Sequence, residues 1–232
     1  MIPAKGASAR LARKNLRPLG GKPLLQWTIE AALRCECLDR LVVSTEDAEA
    51  AALARAAGAE VPFVRPARLA MDPYGVAEVC LHALDELEAA GDTYEHLVVL
   101  LPTSPFRTSF HIREALRLYH RAGADFLMSV NRLDASPLSA HVLRGDFMEP
   151  LHPEWIGRLG ARTNQADLPP LVKSNGAVTI VGVRRFRAEK SYYTYPLAAY
   201  PMPWPAGLDL DTEDDLILAE ALLGAGRVQL EK

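Results

Sequence analysis

Several features that define whole protein classes are scarce in this chain. No apolar run reaches the length of about 18 residues that crosses a bilayer as a helix, and the first cations are not followed by the apolar stretch of a signal peptide. The three cysteines form an odd, sparse set that is typical of reduced cytosolic thiols. The net charge of −3 argues against a basic nucleic-acid-binding surface. We therefore expect a cytoplasmic protein that binds neither membrane nor nucleic acid.

Motifs of metal and nucleophilic hydrolases are missing as well. The six histidines show no metal-ligand spacing, and neither G-x-S-x-G nor H-E-x-x-H occurs. Cys35 and Cys37 lack the further ligands that a zinc site needs. The sequence gives no support to a zinc enzyme or a serine hydrolase.

The chain does have the pattern of a single α/β domain. Its 232 residues are 49% hydrophobic, which is enough for a full core. Apolar strands and amphipathic helices alternate, which favours a doubly wound, mostly parallel sheet. We predict strands over 41–45, 60–64, 96–101, 125–130 and 177–181, and helices over 23–33, 46–57, 76–90, 110–122 and 212–223.

Two stretches depart from this alternation. Residues 1–4 leave room only for a very short first strand, or for part of a longer one. Residues 131–172 are polar, rich in proline and without an amphipathic helix of useful length, so we predict an irregular or hairpin insertion. A segment of about 40 residues is long for a surface loop, and we expect it to cover a site or pack on a second subunit.

A basic loop follows the first strand. It carries four cations together with a glycine and a serine, which suits a polyanion such as a nucleoside triphosphate. A solvated basic surface is the alternative. The residues are Lys5, Gly6, Ser8, Arg10, Arg13 and Lys14.

Two carboxylates lie near the other end of the chain. Asp209 and Asp211 are two residues apart, so in an extended segment both point to one side and suit Mg²⁺, which shares its ligand sphere with water and phosphates. The alternative is that Asp211 belongs to the acidic start of a helix. Thr212 is the expected N-cap there, and we assign residues 213–215 to the helix dipole.

Polar turns at strand ends are further candidates. Residues 102–107 follow an apolar strand on the side where parallel sheets bind ligands, although a simple β–α turn fits equally well. Asn175 and Gly176 indicate a turn first and a ligand contact second. Arg65 lies after a strand, with a surface ion pair as the alternative role.

In combination, six segments resemble the acylneuraminate cytidylyltransferase family, over nearly the whole chain. Each segment is short, and their order makes the resemblance specific. They are Ile2-Pro-Ala-Lys-Gly-Ala-Ser through Lys14-Asn15, Gly21-Lys-Pro-Leu-Leu25, Arg65-Pro-Ala-Arg-Leu-Ala-Met-Asp72, Pro102-Thr-Ser-Pro-Phe-Arg107, Asn175-Gly-Ala177 and Asp209-Leu-Asp-Thr-Glu213.

The resemblance implies a Rossmann-like nucleotidyltransferase that transfers CMP from CTP to the anomeric hydroxyl of a 2-keto-3-deoxy sugar acid and releases pyrophosphate. It implies a Mg²⁺-dependent homodimer in which residues 131–172 form the dimerisation arm of a single domain, 1–232. Its implied catalytic residues are Lys14, Asp209 and Asp211, and the two aspartates are the implied metal ligands. Nucleotide binding is implied for Lys5, Gly6, Ser8, Arg10, Asn15 and Arg65, and sugar binding for Thr103, Ser104, Arg107, Asn175 and Gly176.

Four positions depart from the family pattern. Lys5 replaces the usual arginine and loses its bidentate fork, and Ala9 replaces the usual lysine, for which Arg10 is a candidate substitute. Leu101 stands where a glutamine is common, and Ser139 where sialic acid enzymes often have lysine. The last two positions face the sugar in the family. The acceptor is therefore left open among nonulosonic acids such as legionaminate or pseudaminate and an 8-amino octulosonate. A weakened or inactive nucleotide-binding homologue, and a nucleotidyltransferase for a different sugar, are the other readings.

Overall fold

The structure is a computed structural model that describes residues 1–8, 10–133, 137–160 and 170–231. Ala9, one of the departures from the family pattern, lies outside the described residues. The strands in the described part are β1 (Ile2–Pro3), β2 (Pro18–Leu19), β3 (Lys22–Pro23), β4 (Val43–Ser44), β5 (His96–Val99), β6 (Phe126–Arg132), β7 (His141–Arg144), β8 (Phe147–Pro150), β9 (Val172–Gly182) and β10 (Ala198–Pro201). The α-helices there are α1 (Leu24–Arg34), α2 (Ala48–Ala56), α3 (Val76–Ala89), α4 (Ser109–Ala122), α5 (Pro153–Gly160), α6 (Val183–Glu189) and α7 (Glu213–Gly224).

One sheet runs through the centre of the fold in the order β4-β1-β5-β9-β6-β10. β1 pairs in parallel with β4, and β10 pairs in parallel with β6. The Met1 amino group donates to the Val98 carbonyl (2.6 Å) and the Leu100 N–H donates to the Met1 carbonyl (3.1 Å), which is the parallel pattern and joins β1 to β5. β9 runs antiparallel to β5. This is the predicted doubly wound α/β fold.

Apolar side chains on both faces of the sheet hold the helices in place. Successive residues of a strand point to opposite faces, so Val98 and Leu100 join the cluster that contains α1 and α4, while Leu97 and Val99 join the cluster that contains α3 and α6. The strands that carry both sets are therefore buried on both sides. This double burial explains why the sequence there is a continuous apolar run.

Several sequence predictions differ from the structure in detail. The predicted strand 60–64 makes only one bridge, between Val42 and Glu60, and Val64 is 74% exposed because the chain leaves the sheet there. The expectation that 131–172 has no useful helix is wrong, since α5 forms within it beside the predicted hairpin, β7 and β8. The first strand comprises two residues, Ile2 and Pro3, which fits both of the expectations for residues 1–4.

The chain divides into two compact units. The first comprises Met1–Val130 and Ser174–Lys232, and the second comprises Asn131–Lys173. β7 and β8 form an antiparallel hairpin within the second unit. No helix among the described residues is both long and apolar enough to cross a membrane.

The carboxylate of Glu231 binds the first turn of α4, and its removal tests how much this contact stabilises the fold. It accepts hydrogen bonds from the Ser109 N–H and hydroxyl, both 2.6 Å long. We expect Glu231→Ala to lower the free energy of unfolding by about 1–2 kcal/mol, because an anion at a helix N-terminus is lost with two hydrogen bonds. Denaturant unfolding measures this, and Gln229→Ala, at an exposed neighbour, is the control. Equal changes in both variants would contradict the prediction.

Candidate active site

A cavity of about 350 Å³ lies where several loops meet beyond the carboxyl ends of β1 and β5. The loop after β1, the loop after β5 and the segment before α7 line it, together with residues around the start of α3. This is the edge at which open parallel sheets bind ligands. The sequence-predicted residues that it brings together are Lys5, Arg10, Lys14, Asn15, Arg65, Thr103, Asp209 and Asp211.

The basic loop and the late aspartates are in direct contact. The Lys14 ammonium donates to Asp211 Oδ1 (2.6 Å), and the Arg10 guanidinium lies 2.7 Å from Asp211 Oδ2. Lys14 is 15% exposed at its side chain and Arg10 is 66% exposed. One carboxylate therefore neutralises two cations that are about 200 positions away in the sequence, and these cations can turn to an anionic ligand.

Asp209 lies beside this ion-pair cluster in a different environment. Its Oδ1 is buried and has no hydrogen-bond partner among the described residues. Burial raises the pKa of Asp209, and a hydrogen bond from Thr103 acts in the opposite direction. Leu210, between the two aspartates, is fully buried in an apolar cluster, so both carboxylates face the cavity as the alternation predicted.

The start of α7 does not use Asp211 as its cap. Thr212 is the N-cap, and its hydroxyl accepts from the Asp215 N–H (3.2 Å). Asp215 in turn accepts from the N–H groups of Thr212 (2.8 Å) and Asp211 (3.0 Å). The helix is thus capped by Thr212 and Asp215, and the Asp211 side chain is left to the cavity. The alternative role that the sequence offered, an acidic residue at the start of a helix, is therefore correct for Asp215 and does not explain Asp211.

Glu46 is a site residue that the sequence analysis missed. Its Oε2 accepts from Arg65 Nε (2.9 Å) and from Arg65 Nη2, and its Oε1 accepts from the Gly6 N–H (2.7 Å). The Arg65 side chain is only 2% exposed. Glu46 was placed inside the helix predicted over 46–57, but α2 begins at Ala48 with Asp47 as its N-cap. Its position directly after β4, at the carboxyl edge of the sheet, was the signal.

The backbone of the basic loop is fixed by close packing. A Cβ on Gly6 would lie 2.6 Å from Asp47 Oδ2 and 2.9 Å from Asp47 Cβ, so this approach requires glycine. Asn15 Nδ2 donates to the Lys5 carbonyl (2.8 Å) and closes the loop. Ser8, predicted to bind nucleotide, is half-buried and is not among the residues that line the cavity.

Three residues predicted to bind the sugar lie below the surface. Ser104, Arg107 and Asn175 are 0%, 1% and 5% exposed, and none lines a cavity of the described site. Arg107 Nη1 donates to the carbonyls of Leu101 (3.1 Å) and Ala177 (3.0 Å).

The burial of these three side chains argues against the predicted direct sugar contact. Two further nitrogens of Arg107, Nε and Nη2, have no hydrogen-bond partner in the described part of the chain. Burial lowers the pKa of Arg107 to about 10, so it stays protonated at neutral pH. Asn175 Oδ1 accepts from the Ser129 hydroxyl and from the Ala177 N–H (3.1 Å). Residues 174–177 lie within β9, so the turn predicted at Asn175 and Gly176 is wrong. Arg107 joins this strand to the loop after β5, and the Asn175 side chain joins it to Ser129 of β6.

Comparison with known proteins identifies the family of this chain. The family model described as Cytidylyltransferase matches residues 1–136. The chain is 31% identical over 226 residues to the CMP-N,N'-diacetyllegionaminic acid synthase of Legionella pneumophila, covering 96% of this chain and 94% of that one. It is 32% identical over 222 residues to the N-acylneuraminate cytidylyltransferase of Escherichia coli, covering 94% of this chain and 50% of that one, so it spans half the length of that relative.

A solved structure shares the fold. A CMP:2-keto-3-deoxy-manno-octonic acid synthetase complexed with CTP superposes with a TM-score of 0.67 at 16% identity, covering 97% of each chain. At that identity the likeness shows the fold alone. From the family model and the sequence relatives, the chain belongs to the cytidylyltransferase family that includes the acylneuraminate and diacetyllegionaminate enzymes.

Proposed function

We propose that the protein transfers CMP from CTP to the anomeric hydroxyl of a nonulosonic acid and releases pyrophosphate. The observation that carries this proposal is the contact of Lys14 with Asp211, because it brings the cations that we propose to bind phosphate and the carboxylates that we propose to bind metal into one cavity. The names of the sequence relatives supply the nucleotide and the acceptor class. The reaction draws on CTP, so we propose that it runs in the cytoplasm.

The basic loop has the groups to hold the triphosphate. Lys5, Arg10 and Lys14 provide the charge, and the loop backbone provides N–H donors. Phosphoryl transfer needs alignment and charge neutralisation more than covalent help, and a preorganised cationic loop supplies both. Arg10 reaches Asp211 in the substrate-free protein, which fits its role as the substitute for the lysine that the family has at Ala9.

The two aspartates fit a divalent cation such as Mg²⁺. Among the described residues, Asp209 presents a buried carboxylate oxygen without a hydrogen-bond partner, and the Asp211 carboxylate binds the Lys14 ammonium and the Arg10 guanidinium. Two carboxylates with few other protein ligands suit Mg²⁺, which completes its sphere with water and phosphate oxygens. Bound there, the cation would neutralise phosphate charge and ease the departure of pyrophosphate. Thr103, which hydrogen-bonds Asp209, positions that carboxylate.

Pyrophosphate release tests the function directly. The purified protein is incubated with CTP, Mg²⁺ and each of a panel of nonulosonic acids, and pyrophosphate is measured by a coupled assay. We expect release with at least one acid, dependent on both CTP and the acid. Binding of CTP without pyrophosphate from any acid would instead favour the inactive nucleotide-binding homologue, and release with an aldose phosphate would favour a different nucleotidyltransferase.

We further propose that the protein is a homodimer assembled through the second unit. Its hairpin exposes large apolar side chains on a short segment: Leu143, Phe147 and Met148 are 76%, 79% and 68% exposed. Leu143 and Met148 lie directly opposite each other across β7 and β8. Apolar clusters of this kind mark contact surfaces.

The double variant Leu143→Asp/Met148→Asp is expected to be a monomer in size-exclusion chromatography with light scattering, whereas the unaltered protein is a dimer. Two carboxylates on the buried face would have to be desolvated without partners, which association cannot offset. Ile217→Asp, at a 60% exposed position of α7, is the control and should remain dimeric. A dimer that survives the double variant and dissociates with Ile217→Asp would contradict the assignment.

A further inference from the structure

Arg107 carries a buried guanidinium that no described carboxylate binds. The residue ends the loop after β5 and is only 1% exposed. Its Nη1 donates to the carbonyls of Leu101 (3.1 Å) and Ala177 (3.0 Å), and the described residues offer no partner to Nε or Nη2. A buried charge is usually matched by an opposite charge or by a full set of hydrogen bonds. This one is matched by two backbone oxygens.

Stability alone does not explain why a charge is kept there. Burial lowers the pKa of Arg107 to about 10, so the folded protein holds this proton less tightly than the unfolded chain does. Buried ion pairs can often be replaced by apolar side chains of similar volume without loss of stability, and a guanidinium that lacks a carboxylate has less to lose. What the guanidinium supplies is a fixed place for the two carbonyls that it binds.

The Leu101 carbonyl begins the loop after β5, residues 101–107, and Arg107 ties it to strand β9. This oxygen accepts from Arg107 Nη1 and from the Ser104 N–H (3.4 Å), and the Arg107 N–H donates to the Ser104 carbonyl (3.2 Å). The loop is therefore made of two consecutive turns. The second carbonyl, that of Ala177, belongs to β9. Arg107 thus fixes the start of the loop against the sheet.

Thr103 lies inside the first of these turns and contacts the aspartate segment twice. Its carbonyl accepts from the Leu210 N–H (2.8 Å), and its hydroxyl hydrogen-bonds the Asp209 carboxylate. Thr103 is 5% exposed and Leu210 is fully buried. The first bond holds the backbone next to Asp209, and the second holds the direction of the carboxylate. The place of the loop therefore determines how Asp209 faces the cavity.

We propose that Arg107 is a positioning residue for the cation site. By holding the Leu101 carbonyl, it sets the place of Thr103, and Thr103 in turn aims the Asp209 carboxylate at the cation. The inference rests on the proposed function, in which Asp209 and Asp211 hold a divalent cation. Arg107 does not line the cavity itself. Groups that orient a metal ligand without touching the metal typically change metal affinity by about 10–100-fold.

Binding of Mn²⁺ without nucleotide measures the cation site apart from activity, with the free ion followed by electron paramagnetic resonance. We expect Arg107→Met to raise the dissociation constant for Mn²⁺ about 10-fold, and the isosteric Thr103→Val to raise it about 10–100-fold. Arg107→Lys should stay close to the unaltered protein, because one nitrogen makes both hydrogen bonds and an ammonium has donors for two carbonyls. Arg117→Met, at a 68% exposed side chain of α4, is the control and should change nothing.

The double variant Thr103→Val/Arg107→Met separates positioning from a general structural role. If Arg107 acts through Thr103, the double variant should bind Mn²⁺ no more weakly than Thr103→Val does, because the support of an absent hydroxyl no longer matters. Losses that multiply would overturn the inference. In the activity assay, Arg107→Met should raise the Mg²⁺ concentration for half-maximal pyrophosphate release by more than it lowers kcat at saturating Mg²⁺.

Failure of this inference is distinguishable from failure of the proposed function. Unchanged Mn²⁺ binding by Arg107→Met, or an equal loss in Arg107→Lys or Arg117→Met, overturns the inference alone if pyrophosphate is still released. No pyrophosphate from any acid overturns the function, and no Mn²⁺ binding by the unaltered protein overturns the cation site and this inference with it. If thermal denaturation shows that Arg107→Met does not fold, the shorter, neutral Arg107→Gln should still weaken Mn²⁺ binding, and unchanged binding there would overturn the inference.

Discussion

Replacing Asp209 or Asp211 by asparagine is expected to lower kcat for CMP transfer by about a thousandfold without unfolding the protein. Each change removes one negative charge from the cavity while it preserves the size of the side chain. An amide oxygen is a weak ligand for Mg²⁺, and single groups that stabilise transition-state charge contribute about 10²–10³ in kcat. Asp211→Asn also deprives Lys14 of its ion pair.

The effect of the asparagine substitutions on the stability of the protein distinguishes the two aspartates from ordinary structural acids. The pKa of Asp209 is raised in the fold by burial, so the folded state holds its proton more tightly than the unfolded state does. Its ionisation therefore costs folding free energy once the pH rises above the unfolded pKa. Asp209→Asn removes that cost and should keep or raise the melting temperature at pH 7, while activity falls.

Asp214→Asn is the matched control, because it changes the same charge three residues from Asp211 at an exposed position. Pyrophosphate release and thermal denaturation are measured on all three variants. A loss of stability in Asp209→Asn with activity largely kept would show that the carboxylate is structural and would contradict the metal assignment.

Glu46→Ala is expected to lower the free energy of unfolding by about 3–5 kcal/mol and to raise KM for CTP. The change leaves the guanidinium of Arg65 buried without its carboxylate, and an unpaired buried charge is far more costly than a lost surface contact. The Gly6 N–H donates to the same Glu46 carboxylate, so the change also removes its acceptor. The loop that we propose to face the triphosphate would then lose this anchor.

A second ion pair nearby provides the comparison. Arg13 and Glu49 are 2.6 Å apart, yet both side chains are more than half exposed. Glu49→Ala should change stability far less than Glu46→Ala does, because solvent screens an exposed pair. Denaturant unfolding of the two variants, with KM for CTP, measures the difference. Similar losses of stability in both would contradict the role assigned to burial.

Local sequence patterns predicted much of the fold. The apolar runs at 96–101 and 125–130 became β5 and β6, since a strand buried on both faces must be apolar throughout. It was also predictable that Asp209 and Asp211 point to the same side, because side chains alternate between two faces along any extended segment. The prediction of a strand at 60–64 was wrong, because a strand requires a neighbouring strand to pair with, and the local sequence pattern does not reveal whether one is present.

Burial of polar side chains was not predictable. The sequence predicted Arg107 and Asn175 in turns at strand ends, whereas Asn175 lies within β9, and the sequence does not tell whether such a side chain faces a ligand or a backbone group. In the structure both face the backbone. Glu46 shows the converse, since a residue assigned to a helix binds Arg65 and the basic loop once α2 begins two residues later.

The sequence by itself determined the α/β alternation of the main helices and of the strands at 96–101 and 125–130, the family, and the presence of a cationic loop and paired carboxylates. Only the tertiary structure decided that these groups meet, because Lys14 and Asp211 are separated by 197 positions and their contact depends on how β1 and the segment before α7 pack. Local periodicity determines which way a side chain points from its own strand, but the groups it meets there come from elsewhere in the chain.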